Sequence, residues 1–351
     1  MTRREFLKTG GSALAVTALG GCAGAKAGRF VASGEIRAML MHLGWNMWSD
    51  IPVDAWGPYK GEELSCVCAS DRVRTDFGVW RRVTEEMAAC GYNMIVIDLG
   101  EAMVYPSHPE LAAKGALDPA AMRRELDRLR GLGLEPIPKL NFSTAHDAWL
   151  GVYERMVSTE AYYRVCADVL RDVAEIFDTP RFVHLGYDEE TAGHQAKYSC
   201  SIVRQGELWW HDFLWFAETA RRAGMRPWIW SDFIWHHRDD FLKRMPRDVL
   251  QSNWYYGAEF EASKLANDFL RMRVKCYEDL DKAGFDQVPC GSNWSCDESL
   301  PNTVAFARKT ISPAHLKGFL NAPWYFPSVV REQRLIDACR IGRSIWGAAG
   351  L

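Results

Sequence analysis

The stretch Cys90-Gly91-Tyr92-Asn93-Met94-Ile95-Val96-Ile97-Asp98-Leu99 holds the repeating unit of this chain. The amphipathic run 77–89 before it reads as a helix, and Gly91 supplies the left-handed residue on which helices commonly end. The short apolar run Tyr92–Leu99 then reads as a strand, carrying an acidic residue near its far end. The same joint recurs at Leu132-Gly133, Ala223-Gly224 and Ala283-Gly284. Further short apolar runs are Arg37–Leu43, Glu135–Leu140, Phe182–Leu185, Pro227–Trp230, Val249–Ser252, Gln287–Gly291 and Leu316–Leu320. Helical patterns lie between them at 120–132, 160–176, 208–223, 260–282 and 329–343. Eight strand-then-helix units predict an α/β protein built as a single (β/α)8 TIM barrel. A doubly wound open sheet would carry a glycine-rich phosphate loop after its first strand, and Gly44-Trp45-Asn46-Met47-Trp48 offers none.

Composition narrows the function. The 351 residues carry 42 Lys+Arg against 45 Asp+Glu, a formal net charge of −3. No positive field is available to displace phosphate counterions, so a charge-driven nucleic-acid binder is excluded. With 48% hydrophobic and 25% charged residues, the chain is globular rather than disordered. The 15 tryptophans are an unusual number; indole rings commonly line pockets and pack against sugar faces, and a large aromatic core is the other reading of many of them.

The first residues read as an address. Thr2-Arg3-Arg4-Glu5-Phe6-Leu7-Lys8 is a twin-arginine signature, followed by the weakly apolar run 12–19. That run is too short to span a bilayer. It ends in Leu19-Gly20-Gly21-Cys22, which resembles a bacterial lipobox. The expectation is a signal peptide over 1–21, lipidation of Cys22, a flexible linker over 22–35 and a barrel over 36–351. Such a protein is exported by the twin-arginine route and anchored to a membrane, facing the periplasm or the cell surface. Of ten cysteines nine then remain. None has a zinc-site spacing, and most read as small buried residues. No metal and no cofactor is called for.

Active sites of such barrels lie at the C-terminal ends of the strands. Those positions hold His42 and Trp45, Asp98 and Glu101, Asn141 and His146, Asp188 and Glu189, Asp232, Trp254 and Tyr255, Asn293 and Trp294, and Asn321 and Trp324. Carboxylates beside aromatic rings suit a neutral, polyhydroxylated ligand: the carboxylates accept hydrogen bonds from hydroxyls and the rings cover C–H faces. The sharpest signal is Phe182-Val183-His184-Leu185-Gly186-Tyr187-Asp188-Glu189-Glu190. Adjacent carboxylates at a strand end can be held in different environments, one ionised and one protonated. An acidic first turn of the next helix is the other reading of that pair.

The pattern His184-x-Gly186-x-Asp188-Glu189 resembles the H-x-G-x-D-E motif of glycoside hydrolase family 20, the β-N-acetylhexosaminidases. Further segments are similar in order. Ile36-Arg37-Ala38-Met39-Leu40-Met41 resembles the first strand, whose arginine holds substrate hydroxyls. Gly133–Pro138 followed by Ala145-His146 resembles the third unit, Pro227–Asp232 the fifth strand, and Gln251–Trp254 the sixth. There are departures. Pro138-Lys139-Leu140-Asn141 stands where the family has Pro-Glu-x-Asp, Tyr187 stands for a glycine, and Tyr325-Phe326 follows Trp324 where a sugar-holding Glu is common. The linker leaves no room for the small domain that often precedes this barrel.

The resemblance implies a substrate-assisted, retaining hydrolysis of glycans bearing N-acetylhexosamine, an exception to the two-carboxylate scheme. In the substrate-assisted mechanism that the resemblance implies, Glu189 is the general acid and base, and Asp188 holds the acetamido N–H. Arg37, His146, His184, Trp228, Trp230, Asp232, Trp254 and Trp324 are the expected substrate-binding residues, with His184 either orienting the pair or buried as structure. Two other classes stay open: a glycosidase pairing Glu189 with Asp98 or Asp232, and an inactive glycan-binding lipoprotein. For the anchor, Cys22→Ala should release the protein from the membrane fraction of expressing cells; persistence in that fraction would contradict the lipobox.

Overall fold

The computed structural model describes residues 31–54 and 66–346. The expected signal peptide, Cys22 and linker residues 22–30 lie outside the described residues. Eight strands are present: β1 (Ile36–His42), β2 (Met94–Asp98), β3 (Glu135–Lys139), β4 (Phe182–His184), β5 (Arg226–Trp230), β6 (Leu250–Ser252), β7 (Cys290–Gly291) and β8 (Gly318–Asn321). Each is followed by its helix: α1 (Phe77–Ala89), α2 (Pro119–Gly131), α3 (Glu160–Ile176), α4 (Glu207–Arg222), α5 (Arg238–Arg244), α6 (Asp268–Lys282), α7 (Ser299–Thr310) and α8 (Glu332–Trp346). All strand pairings are parallel and sequential, and β8 lies beside β1. The last seam, β6 to β7, is carried by the bridges Gln251–Gln287 and Trp254–Cys290, giving a nearly closed barrel. Among the described residues no helix is long and apolar enough to cross a membrane.

Local chemistry sets the boundaries. Gly91, Gly133, Gly224 and Gly284 all follow helices with φ between 78° and 83°. That is the region glycine enters without a Cβ clash. Asp76, Asp118 and Thr159 cap α1, α2 and α3 by accepting first-turn N–H groups. One expectation needs correction. The helical pattern read from Phe260 starts only at Asp268, because Asn267 caps it by accepting the Leu270 N–H at 2.9 Å.

Strand alternation sorts the side chains. Ala38, Leu40, Val96, Ile137, Trp228 and Leu320 fill the barrel interior, while Met39, Met41, Ile95 and Ile97 pack outward against helices. Among the described residues no disulfide forms, and Cys90, Cys166, Cys276, Cys290 and Cys339 are buried. The pairing register places His42, Asp98, Lys139 and His184 side by side near the strand ends. Asp98 accepts from Lys139 Nζ at 2.6 Å and lies 3.1 Å from His42 Nδ1, all three side chains being buried. Burial opposes ionisation of Asp98, yet the Lys139 charge and His42 hold its carboxyl down to about 2.

Above this layer, a second polar cluster ties three loops together. Asp50, in the loop after β1, accepts the Ser199 N–H at 2.8 Å and Arg155 Nη2 at 3.1 Å. Glu154 lies buried beside it; burial and then the Asp50 charge push its carboxyl up to about 8. The native state thus keeps a proton on Glu154 that the unfolded chain loses near the ordinary Glu value. This contribution to stability is therefore present at low pH and lost as pH rises through about 8. Relative to Glu154→Gln, the wild type should lose on the order of 2–4 kcal/mol of stability between acid and mildly alkaline pH. Urea unfolding across that range checks this, and a pH-independent difference would contradict it.

Candidate active site

The site is built on the turn that follows β4. The backbone there is left-handed at Gly186 (φ 70°), Tyr187 (φ 72°) and Glu189 (φ 55°). A Cβ on Gly186 would fall 2.0 Å from Asn141 Oδ1. Glycine is thus required by the close approach of Asn141 as well as by φ. Asn141, just past the end of β3, uses its whole amide. Its Oδ1 accepts the N–H groups of Ser143 (3.0 Å) and Tyr187 (3.2 Å), and its Nδ2 donates to Asp188 Oδ1 at 2.8 Å. Tyr187 turns its ring outward against Trp209 and Phe213 of α4, and its hydroxyl accepts from the buried Arg204 at 3.0 Å. Arg204 also clamps Glu190 at 2.6 Å, so that third carboxylate faces a structural partner.

Glu189 is fixed differently. Its N–H donates to Asp232 Oδ2 at 2.8 Å, and its carboxylate sits between two histidines. His146 Nε2 is 3.3 Å from one oxygen and His194 Nε2 is 3.4 Å from the other. Burial would raise this carboxyl, but His146 and His194 hold it well below the usual range. His146 also lies 3.5 Å from Asp188 Oδ2. Asp232 is displaced the opposite way: burial, then the Asp188 charge, raise its carboxyl above the ordinary aspartate value. Single atoms of His146, Asp188 and Glu189 lie within 4.8 Å of one another. That is near enough to converge on one divalent cation.

Two cavities meet at this turn. The smaller, about 230 Å³, is lined by Trp48, Asp188, Tyr256, Trp294 and Trp324 together with Glu189, His194 and Trp254. Trp324, itself left-handed at φ 57°, donates its indole N–H to the Tyr256 hydroxyl at 2.9 Å, and Tyr256 stacks on Trp254. The larger, about 660 Å³, is lined by Asp232, Trp235, His236, Phe269 and Arg273 and shares Glu189, His194 and Trp254. Glu189 therefore stands on the ridge between an aromatic box of one-sugar scale and a wider groove.

The sequence-derived candidates divide accordingly. Asp188, Glu189, Trp254 and Trp324 line the small cavity, His146 supports the carboxylates from behind, and Asp232 lines the groove. Five candidates lie elsewhere. Arg37 stands near the start of β1 and pairs in register with Phe319, which puts it at the opposite end of the barrel from the site. Trp228 is fully buried and donates to Ser252 Oγ at 2.8 Å inside the barrel. Trp230 is buried 5.8 Å (ring to ring) from Trp324, and neither Trp228 nor Trp230 lines either cavity. His184 is buried beneath the turn, where its Nδ1 accepts the Gly186 N–H at 3.1 Å and burial holds it neutral. It is a positioning residue. Asp98 is committed to Lys139 and His42 and faces neither cavity. Sequence reasoning missed Trp48, His194 and Tyr256, which come from loops without periodicity, and Arg273 on α6.

No protein-family model and no curated protein matches this chain. Solved structures do match. A GH20 exo-β-N-acetylglucosaminidase from Vibrio harveyi, solved with N-acetylglucosamine, superposes with a TM-score of 0.55 at 14% identity, covering 88% of this chain and 54% of that one. A β-N-acetylhexosaminidase from Bacteroides fragilis gives 0.57 at 12% identity, covering 88% and 65%. A GH20 β-N-acetylhexosaminidase from Streptomyces coelicolor gives 0.56 at 12% identity, covering 87% and 64%. The chain thus spans between about half and two thirds of the length of these structures. Across nearly all of its described barrel it shares the fold of solved β-N-acetylhexosaminidases.

Proposed function

We propose that the protein is a glycoside hydrolase that removes N-acetylhexosamine from glycans by substrate-assisted, retaining hydrolysis. The observation that carries this reading is the divergence of two adjacent carboxylates. Asn141 aims Asp188 into the small aromatic cavity, whereas Glu189 stands on the ridge that cavity shares with the groove. The sugar ring and its acetamido group occupy the small cavity, with Trp48, Trp254, Tyr256, Trp294 and Trp324 around them. Glu189 gives its proton to the glycosidic oxygen as the C1–O bond breaks, and the acetamido carbonyl oxygen forms the new bond to C1. Asp188 accepts the acetamido N–H and offsets the positive charge of the cyclic intermediate. Glu189, now ionised, takes a proton from water as that water attacks C1 and the C1–O bond to the acetamido oxygen breaks, restoring the open acetamide. Because the flanking histidines hold the Glu189 carboxyl of the free enzyme well below the usual range, the acid step needs a proton delivered to it, and His194, 3.4 Å from Glu189 Oε1 and raised by that carboxylate, is placed to deliver one.

Likeness of fold to β-N-acetylhexosaminidases supports the reading, as does the H-x-G-x-D-E spacing. Asp232 beside Glu189 supports a second reading, a two-carboxylate glycosidase. The twin-arginine start and Gly21-Cys22 support placing the enzyme outside the cytosol on a lipid anchor. A panel of chromogenic β-N-acetylhexosaminides and plain hexosides separates the classes: cleavage confined to the N-acetyl substrates is expected, cleavage of plain hexosides favours two carboxylates, and none indicates a binding protein. Glu189→Gln should lower turnover by roughly 10²–10⁴-fold, and by less for nitrophenyl leaving groups that need little protonation. Asp188→Asn should impair every N-acetyl substrate whatever its leaving group; full activity of that variant would contradict the assignment.

A further inference from the structure

We infer that the groove on the leaving-group side of Glu189 is a subsite for an anionic sugar, read by Arg273. This rests on the proposed function for its orientation: with the N-acetylhexosamine in the small cavity, the groove of about 660 Å³ receives the sugar on the other side of the bond. Arg273, on α6, lines that groove. Its guanidinium lies over the rings of Trp235 at 4.2 Å and Trp254 at 4.3 Å. Rings placed this way hold the faces of a guanidinium and leave its edges to make contacts. One edge is used: Nη2 donates to the Trp254 carbonyl at 3.2 Å. Its Nε is buried with no acceptor, and among the described residues no carboxylate is within ion-pair distance of this guanidinium. An unpaired cation is costly in water-poor surroundings, and burial does disfavour the charge on Arg273.

The carboxylates of the same groove are all engaged elsewhere. Glu190 is held by Arg204, Glu189 lies between His146 and His194, and Asp232 accepts the Glu189 N–H and, at 3.4 Å, the Trp254 indole N–H. Arg273 is thus a cation beside aromatic platforms, Trp235 and the exposed Phe269, which the charges of Asp232 and Glu189 favour from a distance but which no carboxylate of the described residues contacts. A sugar packed against those rings and carrying an oxyanion supplies what the site lacks. The oxyanion is a uronate carboxylate or a sulfate ester, both of which match the guanidinium edge.

The test compares three disaccharides in which a β-linked N-acetylhexosamine is joined to glucose, to glucuronic acid, or to 6-O-sulfoglucose. Binding is measured by calorimetry on the full chain carrying Glu189→Gln, so that turnover does not intervene, and kcat/KM is measured on the wild type. One of the acidic disaccharides should bind roughly ten- to a hundredfold more tightly than the glucose one at low salt. That preference should shrink as ionic strength rises, and Arg273→Gln should bring the ratio close to one while Arg273→Lys keeps part of it. Preference for the uronate or for the sulfate identifies the source of the oxyanion. Equal binding of all three by the Glu189→Gln chain overturns the inference, and this comparison needs no Arg273 variant to fold. If the wild type cleaves none of them, the hydrolase reading fails, while the binding ratio still decides the role of Arg273.

Discussion

The site depends on a backbone held where L-residues rarely go. Tyr187 and Glu189 both have positive φ. That conformation costs roughly 1–2 kcal/mol per residue and persists only where the surroundings over-determine it. Here they do. Asn141 occupies the space a Cβ on Gly186 would need, and binds the Tyr187 N–H. The Tyr187 ring is locked against α4 and Arg204, and Asp232 accepts the Glu189 N–H. In an extended strand, successive side chains would point to opposite faces, one into the barrel and one out of it. The left-handed turn instead sends Asp188 into the aromatic box and Glu189 onto the ridge above it.

Departures from the resembled motif make sense against this turn. Asn141, where the family has Asp, contributes an amide that both accepts and donates, and so holds the turn and Asp188 at once. Lys139, where the family has Glu, is absorbed by Asp98 in the polar layer below. Removing one partner of such a buried pair typically costs about 3–5 kcal/mol. Tyr187, in place of glycine, is accommodated because its ring packs against Trp209 and Phe213 of α4.

Much of this was legible in the chain itself. Glycine joints and apolar runs mark the units, and the chemistry collects at the strand ends, as in Asp188-Glu189 and Trp324. The errors share a cause, which is depth along a strand. Arg37 stands near the start of β1 rather than its end, so the barrel puts it at the far rim. Trp228 and Trp230 lie two apart, face the interior and fill barrel layers; the rings that reach the cavity belong to loops beyond the strand ends. Trp48, His194 and Tyr256 carry no periodic signal, because loops place residues by tertiary contacts alone. Arg273 sits on a helix whose groove-facing side cannot be told from its core-facing side until the neighbouring rings are in place.

The central claim is that Asp188 and the aromatic box favour a cyclised acetamide over the open sugar. Competitive inhibition by a thiazoline analogue of the cyclic intermediate, set against free N-acetylhexosamine, tests it most directly. An enzyme complementary to that intermediate should bind the analogue at least about 10²-fold more tightly. Equal inhibition by the two, or none by the thiazoline, would contradict substrate assistance at this site.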